Sequence, residues 1–165
     1  MPFYQSRGLV SPKRHTVFKR SAKSIYYEEL VSREGFSSIY SNLYHLRMPT
    51  RVSKVGKLHP FKIKKIDNKH QARHIQTQDI PDKGDIIYDR IPLMFNDDLI
   101  IHKAHVNKDM DCFYRNAHFD ELFYIQSGSA TLFTNFGNLE LNKGDYVVIP
   151  SGIIWNLKVN ASMNI

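Results

Sequence analysis

The chain predicts a mainly β fold, a small barrel of short antiparallel strands behind an extended N-terminal arm. Three observations carry that reading. From residue 121 onward short apolar runs recur at about eight to ten residues, namely Leu122–Ile125, Thr131–Thr134, Leu139–Leu141, Tyr146–Ile149 and Ile153–Val159, the cadence of strands that fold back on one another. Between them sit Ser127-Gly128, Asn135-Phe136-Gly137-Asn138, Asn142-Lys143-Gly144-Asp145 and Pro150-Ser151-Gly152, each a turn with a residue able to take positive φ. The length of 165 residues and 42% hydrophobic content suffice for one hydrophobic core.

Residues 1–24 read as an extended arm, because Gly8, Pro12 and the cluster Lys13-Arg14-His15 interrupt any apolar period. In the aromatic-rich segment 25–48, Phe36, Ile39, Tyr40, Leu43 and Tyr44 give a short helix-like stripe, while the Tyr and Ser content leaves strand open. Pro49 and Thr50 close it. From Arg51 to Gln78 the alternation is patchy (Phe61, Ile63, Ile66) and predicts one or two Lys-rich, solvent-facing strands. Asp85–Tyr88, Ile91–Phe95 and Leu99–Ile101 read as successive strands. The division expected is an arm and aromatic segment over 1–50 and the barrel over 51–165.

No apolar run of about 18 residues occurs, so no membrane span is expected. The N-terminus MPFYQSRGLVSPKRHTVFKR lacks the apolar core of a secretory signal. Cys112 is the only cysteine, which excludes an intrachain disulfide, suits a reducing cytoplasm and reads as a buried, inert thiol. Charge is lopsided: residues 1–75 hold 16 Lys and Arg against 4 Asp and Glu (+12), and residues 76–165 hold 7 against 12 (−5). A basic first half suits a nucleic-acid surface or an arm packed on an acidic body. No zinc finger, RNP-like signature or P-loop accompanies it, which favours the second.

The run Arg115-Asn116-Ala117-His118-Phe119-Asp120-Glu121, followed after six residues by Gly128, has the spacing of the first cupin motif, H-x-H-x3-E-x6-G. Gly144-x5-Pro150-x-Gly152-x2-Trp155 has that of the second, G-x5-P-x-G-x2-H. The predicted fold is therefore a cupin-like (double-stranded β-helix, or jelly-roll) barrel. The turn residues and the carboxylate are kept; the histidine positions hold Arg115, Ala117 and Trp155. A metal-binding cupin needs three or four N or O donors converging on one ion. Alanine has no donor atom, indole offers an N–H and no lone pair, and arginine is permanently cationic. Only Glu121 remains, and Arg115 is the expected ion-pair partner that fills the metal's place. His118 beside the motif is the one candidate to join Glu121 in half a metal site. His102 with His105, and His70 with His74, are pairs without a third ligand and read as surface or hydrogen-bonded histidines. No nucleophile elbow, C-x-x-C or phosphate-cradling loop occurs.

The opening MPFYQSRG, SPKRHTVFKR, YYEELVSREGFSSIYSNLYH and the stretch YRNAHFDELFYIQSGSATLFTNFGNLELNKGDYVVIPSGIIWNL (114–157) resemble the N-terminal part of homogentisate 1,2-dioxygenases. The resemblance implies a two-barrel cupin that opens the ring of homogentisate with Fe(II) and O2, giving maleylacetoacetate in tyrosine and phenylalanine catabolism. It implies that the iron ligands, two histidines and a glutamate, lie in a second barrel, and that the first barrel is metal-free. Members are more than twice this length, so no catalytic residue carries over. The tail 160–165 does not read as a further long strand, and the barrel is expected to stop short of its strand count, as in a truncated or split gene. The expected function is a non-catalytic structural or interaction part binding no cofactor itself, partnered by a C-terminal cupin half or by copies of itself. A small stand-alone metal cupin using His118 and Glu121, and a nucleic-acid module using residues 1–75, are the alternatives.

Overall fold

A computed structural model describes residues 18–32, 34–37, 39–59, 63, 72–81 and 84–165. The chain divides into two compact units, 1–59 and 60–165. Every regular element among the described residues is a strand.

The first unit holds two hairpins. In one, β1 (Lys19–Ser21) pairs with β2 (Ser24–Ile25); in the other, β3 (Tyr27–Ser32) pairs with β4 (Tyr40–His45) in a register from Tyr27 opposite His45 to Ser32 opposite Tyr40. The stripe that looked helical from Phe36 to Tyr44 is therefore the turn and return strand of a hairpin. Tertiary contacts outweigh the weak 3.6-residue period: across the hairpin His45 Nε2 lies 2.8 Å from Glu29 Oε2, and Phe18, ahead of β1, meets the Tyr44 ring at 4.3 Å. Most of the arm, residues 1–17, lies outside the described residues, as do Phe61, Ile66 and His70. The described stretches 51–59 and 72–78 carry none of the strands expected there.

The second unit contains β5 (Ile91–Phe95), β6 (Ile100–Lys103), β7 (His105–Val106), β8 (Tyr114–Arg115), β9 (Glu121–Tyr124), β10 (Ser127–Thr134), β11 (Gly137–Asn142), β12 (Tyr146–Ile149) and β13 (Ile154–Asn164). Five of them form one sheet in the order β11-β10-β13-β7, with β8 also on β13; β12 pairs with β9, and β5 with β6, all antiparallel. Strand alternation places the core. On β9 Glu121 and Phe123 point inward, and Val147 and Ile149 do so on β12. From the larger sheet come Ala130, Leu132, Trp155 and Leu157, each fully buried, and Phe123 meets Trp155 edge-on at 5.5 Å across the layers. This is the two-layer packing of short strands anticipated for a mainly β, cupin-like chain, although no closed barrel forms among the described residues.

Two local expectations are corrected. Asp85–Tyr88 is a turn rather than a strand, because Asp85 Oδ1 accepts the amides of Ile87 (2.6 Å) and Tyr88 (3.0 Å), a local bond that outcompetes a ladder; the turn sends Ile86 into the core. The polar tail, expected to lack a long strand, continues β13 to Asn164. Register shifts near Ser129 let Asn160–Ser162 face solvent and return Met163 to the interior, opposite Val106. Ala104 and Ile165 then exchange amide bonds at 3.0 and 2.9 Å. Gly128 makes that crossing feasible: φ is +83°, and a Cβ there would strike the Ser162 carbonyl oxygen and lie 2.7 Å from Met163 Cα. No helix among the described residues is long and apolar enough to cross a membrane.

Candidate functional site

The two motif loops are stitched together where a cupin would bind its ligand. Asn116 Oδ1 accepts the amides of His118 (3.0 Å) and Phe119 (3.1 Å), forming a side-chain-closed turn. Gly152 N–H donates to the Asn116 carbonyl at 2.7 Å, and Ser151 N–H donates to Asp120 Oδ1 at 2.8 Å. Turn chemistry thus fixes the start of β9 against the start of β13, and with them Glu121 and Trp155.

Glu121 is buried, and its cation is Arg90, just before β5. Arg90 Nη1 donates to Glu121 Oε1 at 2.9 Å, its Nη2 reaches the Tyr114 hydroxyl at 3.5 Å, and the guanidinium carbon stands 5.9 Å from the Tyr114 ring centre. Tyr114 in turn meets Trp155 edge-on at 5.4 Å. His102, on β6 opposite Pro92, completes the group: burial, and secondarily the Arg90 charge, push its pKa from 6.5 down to about 4, so the ring is neutral at physiological pH. Glu121 Oε2, Arg90 Nε and Trp155 Nε1 are buried without hydrogen-bond partners among the described residues.

The ion pair anticipated between Arg115 and Glu121 is therefore made by Arg90, 31 residues before the glutamate. Arg115 sits on β8 opposite Ile154 and is exposed. Alternation explains this: Tyr114 turns toward Trp155, so its neighbour turns out. His118 is also exposed, its ring 6.2 Å from that of Phe119, in the turn that Asn116 closes, whereas Glu121 is buried. Ala117 is exposed in the same turn. Cys112, expected buried, is exposed, with its thiol pKa raised chiefly by local desolvation, which keeps it protonated. Nothing local in the sequence marked Arg90, and His102 stood out only as half of a pair with His105; both reach the site through tertiary packing.

A divalent metal does not fit this donor set. The one retained motif carboxylate already carries a guanidinium, Trp155 presents carbon and an N–H, and a cation would face the Arg90 charge. Among the described residues no three His, Cys, Asp or Glu side chains converge. What the arrangement presents is a buried ion pair whose guanidinium stands over Tyr114, which in turn packs edge-on against Trp155.

Residues 87–164 match the family model described as homogentisate 1,2-dioxygenase N-terminal. A protein of Saccharolobus solfataricus named "putative dioxygenase" is 40% identical over 167 aligned positions, covering 99% of this chain and 43% of that protein, so the chain spans less than half the length of this relative. A solved structure of a cupin-2 domain-containing protein from Shewanella frigidimarina is similar over 47% of this chain and 74% of its own, at 18% identity and a TM-score of 0.43. Through residues 87–164, just under half of its length, the chain is similar to the homogentisate 1,2-dioxygenase N-terminal family.

Proposed function

We propose that this chain acts as the non-catalytic N-terminal cupin part of a homogentisate 1,2-dioxygenase-like protein, a structural and docking module in the cytoplasm that relies on a second barrel for Fe(II), O2 chemistry and any role in tyrosine and phenylalanine catabolism. The observation that carries the reading is the Arg90–Glu121 pair at 2.9 Å. It engages the one motif carboxylate that is kept, and among the described residues no three His, Cys, Asp or Glu side chains converge around it. The partner fits a feature of the surface: Leu122, Tyr124, Tyr146 and Val148 are exposed on one face of the β9–β12 pair, with Tyr124 opposite Tyr146, Leu122 opposite Val148 and the two tyrosine rings stacked at 4.6 Å. A contiguous apolar face of this kind marks an interaction surface, here for a C-terminal cupin half, with a second copy of the chain as the competing occupant.

The test is oxygen uptake with homogentisate and Fe(II). The chain alone should be silent, and activity should appear only when a C-terminal half with an intact two-His, one-carboxylate iron site is co-expressed. Turnover by the chain alone overturns the non-catalytic reading.

A further inference from the structure

Lys103 ends β6 with only 4% of its surface exposed. Its Nζ donates to Gln126 Oε1 at 2.6 Å, and no carboxylate pairs with it among the described residues. An ammonium carries three N–H donors, so one amide oxygen leaves two donors and a full charge without compensation. Buried charges are ordinarily paired, because an isolated one is costly to desolvate; burial accordingly lowers the lysine pKa. Lys103 lies in the wall of a half-open cavity of about 270 Å³, lined also by Thr77, Gln78, His105, Gln126, Ser127 and Asn164. That wall is polar and built. Asn164 Nδ2 donates to Ser127 Oγ at 2.8 Å, the Gln126 amide donates to the Asn164 carbonyl at 2.8 Å, and Gln126, by turning its oxygen to the ammonium, keeps its NH2 as a donor.

We propose that this cavity binds a small organic carboxylate, with Lys103 as the counter-charge and the Gln126, Ser127 and Asn164 side chains as neutral hydrogen-bonding partners. Size and charge set the class. At roughly 30 Å³ per water the space exceeds what one or two waters fill, yet it lies just below the usual range of drug-sized sites, about 300–1,000 Å³. A single cation with neutral amides and hydroxyls balances a monoanion; a phosphate dianion would call for a second cation or an arginine fork. The site is separate from the Arg90–Glu121 pair and does not depend on the oxygen-uptake reading.

The experiment is thermal unfolding of the full chain in lactate or acetate, with sodium chloride at matched ionic strength, neutral acetamide and inorganic phosphate as comparisons. Lactate at about 20 mM should raise the Tm by at least about 3 °C, and chloride and acetamide should not. Lys103→Met, which removes the charge and keeps the length, should unfold at or above the parent temperature without ligand and lose the lactate shift; Asn164→Ser should weaken the shift while Lys103 remains. Equal shifts in lactate and chloride, a lactate shift retained in Lys103→Met, or a larger shift with phosphate than with lactate would overturn the assignment.

Discussion

Replacing Arg90 by methionine should cost this fold far more than a surface arginine would. Glu121 is 9% exposed and Arg90 18% at the side chain, so water compensates little of the carboxylate charge once the guanidinium is gone. Truncating one partner of a buried pair typically costs about 3–5 kcal/mol, because the other charge is stranded; the residual exposure of Arg90 places this pair near the lower end, at about 3 kcal/mol. Against a total stability of about 5–15 kcal/mol, and at about 4–8 °C per kcal/mol for a unit near 100 residues, the midpoint should fall by roughly 12–24 °C. The decisive comparison is the double variant Arg90→Met, Glu121→Gln. It keeps the shape of the glutamate, leaves a shorter apolar side chain at 90 and removes both charges, so it should recover most of the loss, giving a coupling of about 2 kcal/mol in a urea-denaturation cycle. His102 gives an independent readout: with the Arg90 charge removed its imidazole should titrate above the parent value of about 4, visible in the pH dependence of its ring resonances. An Arg90→Met variant within about 0.5 kcal/mol of the parent, or a double variant no better than the single, would refute the claim that this pair replaces a ligand in holding the mouth together.

Three further outcomes are expected. The depressed His102 pKa means the unfolded chain takes up a proton at higher pH than the folded one, so stability is full above pH 6.5 and falls as pH drops toward 4; the full shift corresponds to about 3 kcal/mol, reduced by solvent screening of the half-buried ring to about 1–2, and a His102→Gln variant should flatten that part of the acid profile. Gly128→Ala should destabilise by roughly 3 kcal/mol or more, since φ is +83° and the added Cβ meets the β13 backbone rather than a movable side chain; equal urea midpoints for variant and parent would contradict that contact. The exposed β9–β12 face should drive self-association of the chain alone, and Leu122→Lys with Val148→Glu should shift sedimentation toward monomer without altering the unfolding midpoint, whereas a monodisperse parent monomer would remove the case for a docking face.

The sequence carried the fold where local chemistry decides it and missed where distant pairing does. The strands from Glu121 to Val159 were legible because period-2 alternation and turn glycines agree: Leu122, Tyr124, Tyr146 and Val148 face out while Phe123, Val147 and Ile149 face in. The substitutions at 115, 117 and 155 were legible from spacing; that Trp155 packs as core was not. The partner of Glu121 was not. Arg115 and Arg90 are equivalent as residue types, and the choice between them rests on which side of β8 faces Trp155 and on the tertiary packing that brings Arg90 to Glu121. Asp85–Tyr88 reads as strand by hydrophobicity, yet one side-chain acceptor turned it. The end of β13 is invisible locally, because Asn160-Ala161-Ser162 looks like a turn until Ser129 bulges and β7 supplies the partner.

A motif that has lost its ligands need not be an empty one, and this site shows why reverting a single residue would not restore it. Installing histidine at 155 would put an imidazole where Trp155 now packs against Tyr114 and Phe123, opening a void while Arg90 still neutralises Glu121. Relieving Arg90 alone strands a carboxylate. Each change toward a metal site first costs stability through the group it disturbs, and the donors at 115 and 117 would still be missing from exposed positions on the turn that Asn116 closes. Packing, ion pair and turn are thus interdependent. That coupling, more than the absence of any one histidine, is what stands against a metal beside Glu121.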